Sequence, residues 1–117
     1  MAKADQVIWF EVLGKDAGKL RSFYGEMFNW SFDLAPSPDM DYGMTAKDDT
    51  GIGGGVGKSP NGAGWVTFYV GVKDVEAAIE RAEKLGGKVL MPPTEIKDGL
   101  IAVVSDPEGH PVGLARA

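Results

Sequence analysis

Set against itself at an offset of 58 residues, the 117-residue chain repeats: Phe10-Glu11-Val12 falls on Phe68-Tyr69-Val70, and Lys15-Asp16 on Lys73-Asp74. Toward the end of each half, Asp48-Asp49-Thr50-Gly51 falls on Asp106-Pro107-Glu108-Gly109, and Gly55-Val56 on Gly113-Leu114. The register therefore holds at both ends of each half. Two copies of one supersecondary unit constrain the chain to a pseudo-symmetric fold. A solenoid is excluded, because it needs at least three repeats to bury a continuous core. The expectation is a pair of modules packed within one chain or exchanged between two.

Each half reads β-α-β-β-β, an α+β pattern. Residues 7–12 (VIWFEV) are β-branched and aromatic, with Gly14 as the turn signal after them. Asp16 is placed to cap a helix over 17–28, where Leu20, Phe23, Tyr24, Met27 and Phe28 recur at helical spacing. Asn29 suits the stop of that helix. Strands are expected over 30–34, 42–47 and 51–57, with a proline-rich turn at 35–38. The second half opens with a strand over 65–72 and a cap at Asp74. Val75, Ala78, Ile79, Ala82 and Leu85 then form the helical stripe, which Gly86-Gly87 stops. A strand over 88–91 is expected to break at Pro92-Pro93. Strands over 100–105 and 111–114 follow, joined by the turn Asp106-Pro107-Glu108-Gly109. The modules span 7–57 and 65–115 of a single domain, and the turn-forming run 58–64 links them.

Composition narrows the function classes. A net charge of −5, with basic residues spread singly, argues against nucleic acid or an anionic membrane as partner. The absence of cysteine excludes disulfides, thiolate metal sites and cysteine nucleophiles together. With no apolar signal core at the N-terminus and no apolar run approaching the length of a membrane span, a cytoplasmic location is expected. No G-x-S-x-G elbow surrounds any serine. The run Gly51-Ile-Gly-Gly-Gly-Val-Gly-Lys-Ser59 fails as a phosphate loop, since Ile52 stands where the first glycine should be and Pro60-Asn61-Gly62 replaces the helix. These glycines are expected instead to let a ligand or another backbone approach the sheet.

The repeated β-α-β-β-β order carries a D-x(3)-L-x(2)-F-Y-x(3)-F-x-W signature at Asp16, Leu20, Phe23-Tyr24, Phe28 and Trp30, and a late D-P-x-G turn at Asp106–Gly109. Over essentially the whole chain this resembles the vicinal oxygen chelate superfamily, which includes glyoxalase I, extradiol dioxygenases, and bleomycin- and fosfomycin-resistance proteins. The resemblance implies that the modules curl into a mixed sheet around a concave, ligand-binding cavity, and that the chain forms a homodimer. It also implies a divalent metal held by side chains of the first and fourth strands of each module. Here those positions fall near Trp9, Thr67, Gly55 and Gly113, none of which is a normal ligand for such a metal. Neither a metal nor another cofactor is therefore expected. His110, the lone histidine, follows the last turn and reads as a solvent-facing residue, with a metal or acid–base role as the alternative.

Strand alternation puts Trp9, Glu11 and Leu13 on one face, matched by Thr67, Tyr69 and Gly71. The repeated pairs Phe10/Phe68 and Val12/Val70 are assigned to the helix-packed face. The first set then lines the cavity, and the ligand-binding candidates are Trp9, Glu11, Trp30, Phe32, Tyr42, Thr67 and Tyr69. For Trp9, Trp30 and Phe32 the equal alternative is that they fill the half-barrel. Glu11 either faces a ligand, as the one weak candidate for a general base, or pairs with Arg21 or Lys47, because a carboxylate on an apolar strand needs a partner or water. The reading is a glyoxalase/bleomycin-resistance-like protein that binds a small organic molecule without a metal. The alternatives are a metal-dependent lyase or dioxygenase of the same superfamily, and a structural or interaction module.

Overall fold

A computed structural model describes residues 3–36, 40–97 and 99–117 of the chain. It is an α+β fold, with eight strands and three helices among the described residues: β1 (Val7–Gly14), α1 (Ala17–Phe28), β2 (Asp33–Leu34), β3 (Tyr42–Thr45), α2 (Lys47–Thr50), β4 (Gly53–Lys58), β5 (Trp65–Val72), α3 (Val75–Lys84), β6 (Lys88–Ile96), β7 (Gly99–Ser105) and β8 (Pro111–Arg116). Two compact units result, one of Trp9–Val66 and one of Thr67–Ala117 with the N-terminal segment ending at Ile8. Ser37 and Pro38 of the expected proline-rich turn lie outside the described residues.

In the Trp9–Val66 unit the strands run β2-β3-β4-β1. β1 and β4 pair in parallel, with Glu11 opposite Gly55, while β3 is antiparallel to both β4 and β2. A parallel pair needs a crossover, and α1 supplies part of it. The helix starts where Asp16 accepts the Lys19 N–H at 3.0 Å and ends at Asn29, whose φ of 59° is left-handed. Arg21 then ties α1 to the sheet, donating to the Val56 carbonyl at 3.2 Å and pairing with Asp41 at 2.7 Å. Val56 and Ala17 are buried in this unit.

The other unit repeats the order as β5-β8-β7-β6, with β5 and β8 parallel and Tyr69 opposite Gly113. Asp74 caps α3 by accepting the Ala77 N–H at 3.0 Å. The core gathers Val72, Val75, Ile79, Ala102, Val104 and Leu114. These come from β5, α3, β7 and β8, so the apolar stripe of the helix meets the apolar side of the sheet. Among the described residues, no helix is long and apolar enough to cross a membrane.

Several local expectations change. The strand expected over 30–34 shrinks to Asp33–Leu34, because Trp30 and Phe32 turn into an aromatic cluster instead. A short helix, α2, occupies Lys47–Thr50, where a strand end was expected. Pro92-Pro93 does not break its strand: β6 continues to Ile96, with register shifts on either side of Met91. β6 is the outermost strand of its unit and its pairing shifts register between Met91 and Thr94, across the two prolines; edges and bulges are the places where a strand tolerates proline. Phe68, assigned to the packed face by its match to Phe10, is 42% exposed, whereas Val70 packs against the core.

Candidate functional site

β4 explains how the Trp9–Val66 unit holds its polar cluster. Gly53, Gly55 and Gly57 alternate along it and present one side of the strand without side chains. A Cβ on Gly53 would lie 3.0 Å from the Trp9 ring, one on Gly55 would collide with the Tyr42 phenol, and one on Gly57 would lie 2.6 Å from the Tyr42 ring. On the opposite side, a Cβ on Gly54 would collide with the Phe10 ring. The glycines do allow close approach to the sheet, but what approaches is the chain's own aromatic side chains.

Those rings carry a chain of hydrogen bonds. Trp9 Nε1 donates to the Tyr42 hydroxyl at 3.0 Å, and that hydroxyl donates to Glu11 Oε2 at 2.9 Å. Trp65 Nε1 donates to Glu11 Oε1 at 3.1 Å. Each carboxylate oxygen thus receives a donor, and all four residues are only partly buried. Parity on β1 sets Trp9 and Glu11 on one side, and Tyr42 reaches both from β3. The Tyr42 phenol and the Trp65 indole are donors that orient the Glu11 carboxylate. Arg21, one of its two expected partners, pairs with Asp41 instead.

Trp30 sits on the α1 side, its ring centroid 5.4 Å from Phe10, 5.8 Å from Tyr24 and 5.2 Å from Phe28, with Phe32 edge-on to it at 6.5 Å. Both serve the packing between α1 and its strands. Thr67, in the other unit, is buried and donates to the Pro111 carbonyl at 2.8 Å. Tyr69 is buried with its ring over Gly113. Trp65 went unrecognised as a site residue. Its spacing from Thr67 and Tyr69 along one strand was the available signal, but its hydrogen-bond partner lies 54 positions away.

The positions that the resemblance assigns to metal ligands do not suit a metal. A side chain on Gly55 would meet Tyr42, and one on Gly113 would meet Tyr69. The Trp9 indole can only donate, and the Thr67 hydroxyl serves Pro111. Among the described residues, no three His, Cys, Asp or Glu side chains gather to hold an ion. His110 is exposed, with Nδ1 3.0 Å from Asp106 Oδ2. The His110 backbone N–H is the main reason the Asp106 carboxyl lies below its ordinary range, with the imidazole and the Glu108 N–H adding to it.

The comparisons with known proteins cover the whole of this arrangement. The family described as a glyoxalase-like domain matches residues 9–115. A Mycobacterium tuberculosis protein, CFP32, provisionally named a glyoxylase, is 30% identical over 118 residues, covering 93% of this chain and 44% of that protein. The anthracycline biosynthesis protein DnrV of Streptomyces peucetius is 27% identical over 126 residues, covering 92% of this chain and 46% of that protein. The chain thus spans about half the length of these curated relatives. Among solved structures, a glyoxalase/bleomycin resistance protein/dioxygenase superfamily member from Vibrio splendidus 12B01 superposes with a TM-score of 0.68 at 18% identity, covering 97% of this chain and all of that one.

Proposed function

From the premise that the chain belongs to the glyoxalase-like domain family, within the vicinal oxygen chelate superfamily, we propose that it binds a small organic molecule through the aromatic side of β1 and β4. The observation that carries this reading is the Glu11 carboxylate, aimed by Tyr42 and Trp65 on a partly exposed aromatic surface. A mostly apolar wall with a few fixed polar groups is the usual make-up of a small-molecule site. Trp9 and Trp65 would enclose the ligand, Glu11 would accept its polar group, and Tyr42 would hold Glu11 in position. The poor fit of metal to the family's ligand positions supports binding without an ion. The name of CFP32 supports the rival reading of a lyase. The same proposal includes a cytoplasmic homodimer, with modules at 7–57 and 65–115 joined through 58–64.

The test is a thermal-shift screen of the whole chain against a metabolite and drug-like panel. A ligand present at about 100 times its Kd stabilises the folded state by roughly 2.7 kcal/mol. A hit whose shift falls on Glu11→Gln and on Trp9→Ala supports the site. A panel with no hit, or hits indifferent to both substitutions, refutes it. Near-stoichiometric zinc, nickel, manganese or iron in purified protein would favour the metal-dependent enzyme instead.

A further inference from the structure

We propose that Asn61 is a deamidation site whose reaction is held in check by the turn around it, so that the amide is lost when that turn opens locally; this is independent of the binding reading above. The sequence supplies the reactants. Asn61 is followed by Gly62, and glycine, without a Cβ, offers the least hindered main-chain nitrogen to a neighbouring side-chain amide. The Gly62 nitrogen gives up its proton, and its electron pair forms a bond to Asn61 Cγ. The Cγ–Nδ2 bond then breaks, ammonia leaves with a proton taken from water, and a five-membered succinimide remains. Water opens that ring at either carbonyl. Breaking the N–Cγ bond gives aspartate, and breaking the original peptide bond gives isoaspartate. Nothing is oxidised or reduced.

The turn opposes each part of the first step. The Gly62 N–H donates to the Ser59 carbonyl at 3.3 Å, so the proton that must leave is held by an acceptor. Asn61 Oδ1 accepts from Ser59 Oγ at 2.8 Å and from the Ala63 N–H at 3.0 Å. These two bonds pin the side chain by its oxygen, whereas ring closure needs Cγ free to align with the nitrogen. Pro60 presets the turn's first central position. Ser59 is buried, and its own N–H donates to the Gly14 carbonyl of β1 at 2.9 Å, which fastens the turn to the sheet. Asn61 and Ala63 are exposed, so water reaches the site. Opening a few local hydrogen bonds costs less than unfolding the chain, and the Ser59 hydroxyl is the side-chain bond that resists it. Isoaspartate would add a methylene to the main chain and put Gly62 and Ser59 out of turn register. Either product adds a negative charge to a chain already at −5.

The experiment incubates the whole chain in ¹⁸O-labelled water at mildly alkaline pH, folded and in guanidinium, and follows residue 61 by peptide mass and isoaspartate content. The chain has one other asparagine, Asn29, which precedes the bulky Trp30 and is the internal control. In guanidinium Asn61 is expected to take up the label while Asn29 does not. The folded chain should react at least about tenfold more slowly, since each hydrogen bond of ordinary net strength is worth roughly fivefold in the closed-to-open ratio. Ser59→Ala should recover about fivefold of that protection. The folded rate should also stay nearly flat in guanidinium below the unfolding transition, because local opening exposes little surface. If the variant does not fold, that dependence in the unaltered protein decides the question, and a rate rising with the full unfolding slope refutes local opening. No label at Asn61 in guanidinium, no reaction in the folded chain, equal rates in the two, or a Ser59→Ala rate unchanged from the parent would each overturn the proposal.

Discussion

Glu11 is a carboxylate on a strand of apolar neighbours, and its two oxygens are satisfied by a phenol and an indole. Such an arrangement is sensitive to loss of either partner, because a hydrogen bond to a charged group contributes about 1.5–3 kcal/mol. Tyr42→Phe should therefore destabilise the fold by about 1 kcal/mol or more in urea denaturation, and should shift the indole N–H signals of both Trp9 and Trp65. Gly55→Ala should be worse, by about 1–3 kcal/mol, since the added methyl falls on the Tyr42 phenol and the ring cannot move aside without leaving Glu11. At Asp106 the carboxyl titrates below its ordinary value, chiefly because the His110 N–H donates to it. A depressed folded value means that the turn is supported above the unfolded carboxylate's pKa and loses that support as pH falls through the folded one. An NMR titration should place the Asp106 midpoint below 3.8, and Asp106→Asn should abolish that transition.

At the scale of elements, the two helix caps are equivalent devices at equivalent places. Asp16→Ala and Asp74→Ala should each lower stability by about 1 kcal/mol, read as a fall in denaturation midpoint at unchanged slope. The limits of α1 were legible because Asp16, the apolar period and Asn29 are all local signals. β6 was not legible, since whether a proline interrupts a strand depends on whether a neighbour needs its N–H, and sequence does not say which strand is outermost. α2 escaped notice for a related reason. Thr45 and Thr50 bring their hydroxyls to 3.1 Å, and Thr50 Oγ1 donates to the Ile52 carbonyl at 2.6 Å, contacts that a composition of Lys-Asp-Asp-Thr does not announce. The positive φ of Gly51 and Gly109, 86° and 91°, was prefigured by their match in the repeat. Only glycine takes that conformation at little cost.

For the whole molecule, the repeat reappears as one strand order in each of the two units, β2-β3-β4-β1 and β5-β8-β7-β6. The chemistry does not repeat. Tyr69 stands at the place in the second unit that Glu11 holds in the first, and each faces a glycine of the parallel partner strand. Substituting a potential ligand into one unit alone should therefore not create a metal site. Gly55→Glu is expected to lower stability and leave the protein without stoichiometric zinc, as metal analysis and urea denaturation together would show.

What the amino-acid order determined by itself was the repeat, the α+β class, the family resemblance, the caps and the absence of ligands at the expected metal positions. Each of these depends on residue identity or on spacing within a few turns or strands of chain. Tertiary structure decided which aromatic residues serve the core and which surround Glu11. Trp30 went to the α1 side and Trp65, unflagged, came to the carboxylate. The physical reason is that an indole N–H and a carboxylate 54 positions apart meet only through the path of the backbone between them, and no local propensity encodes that path.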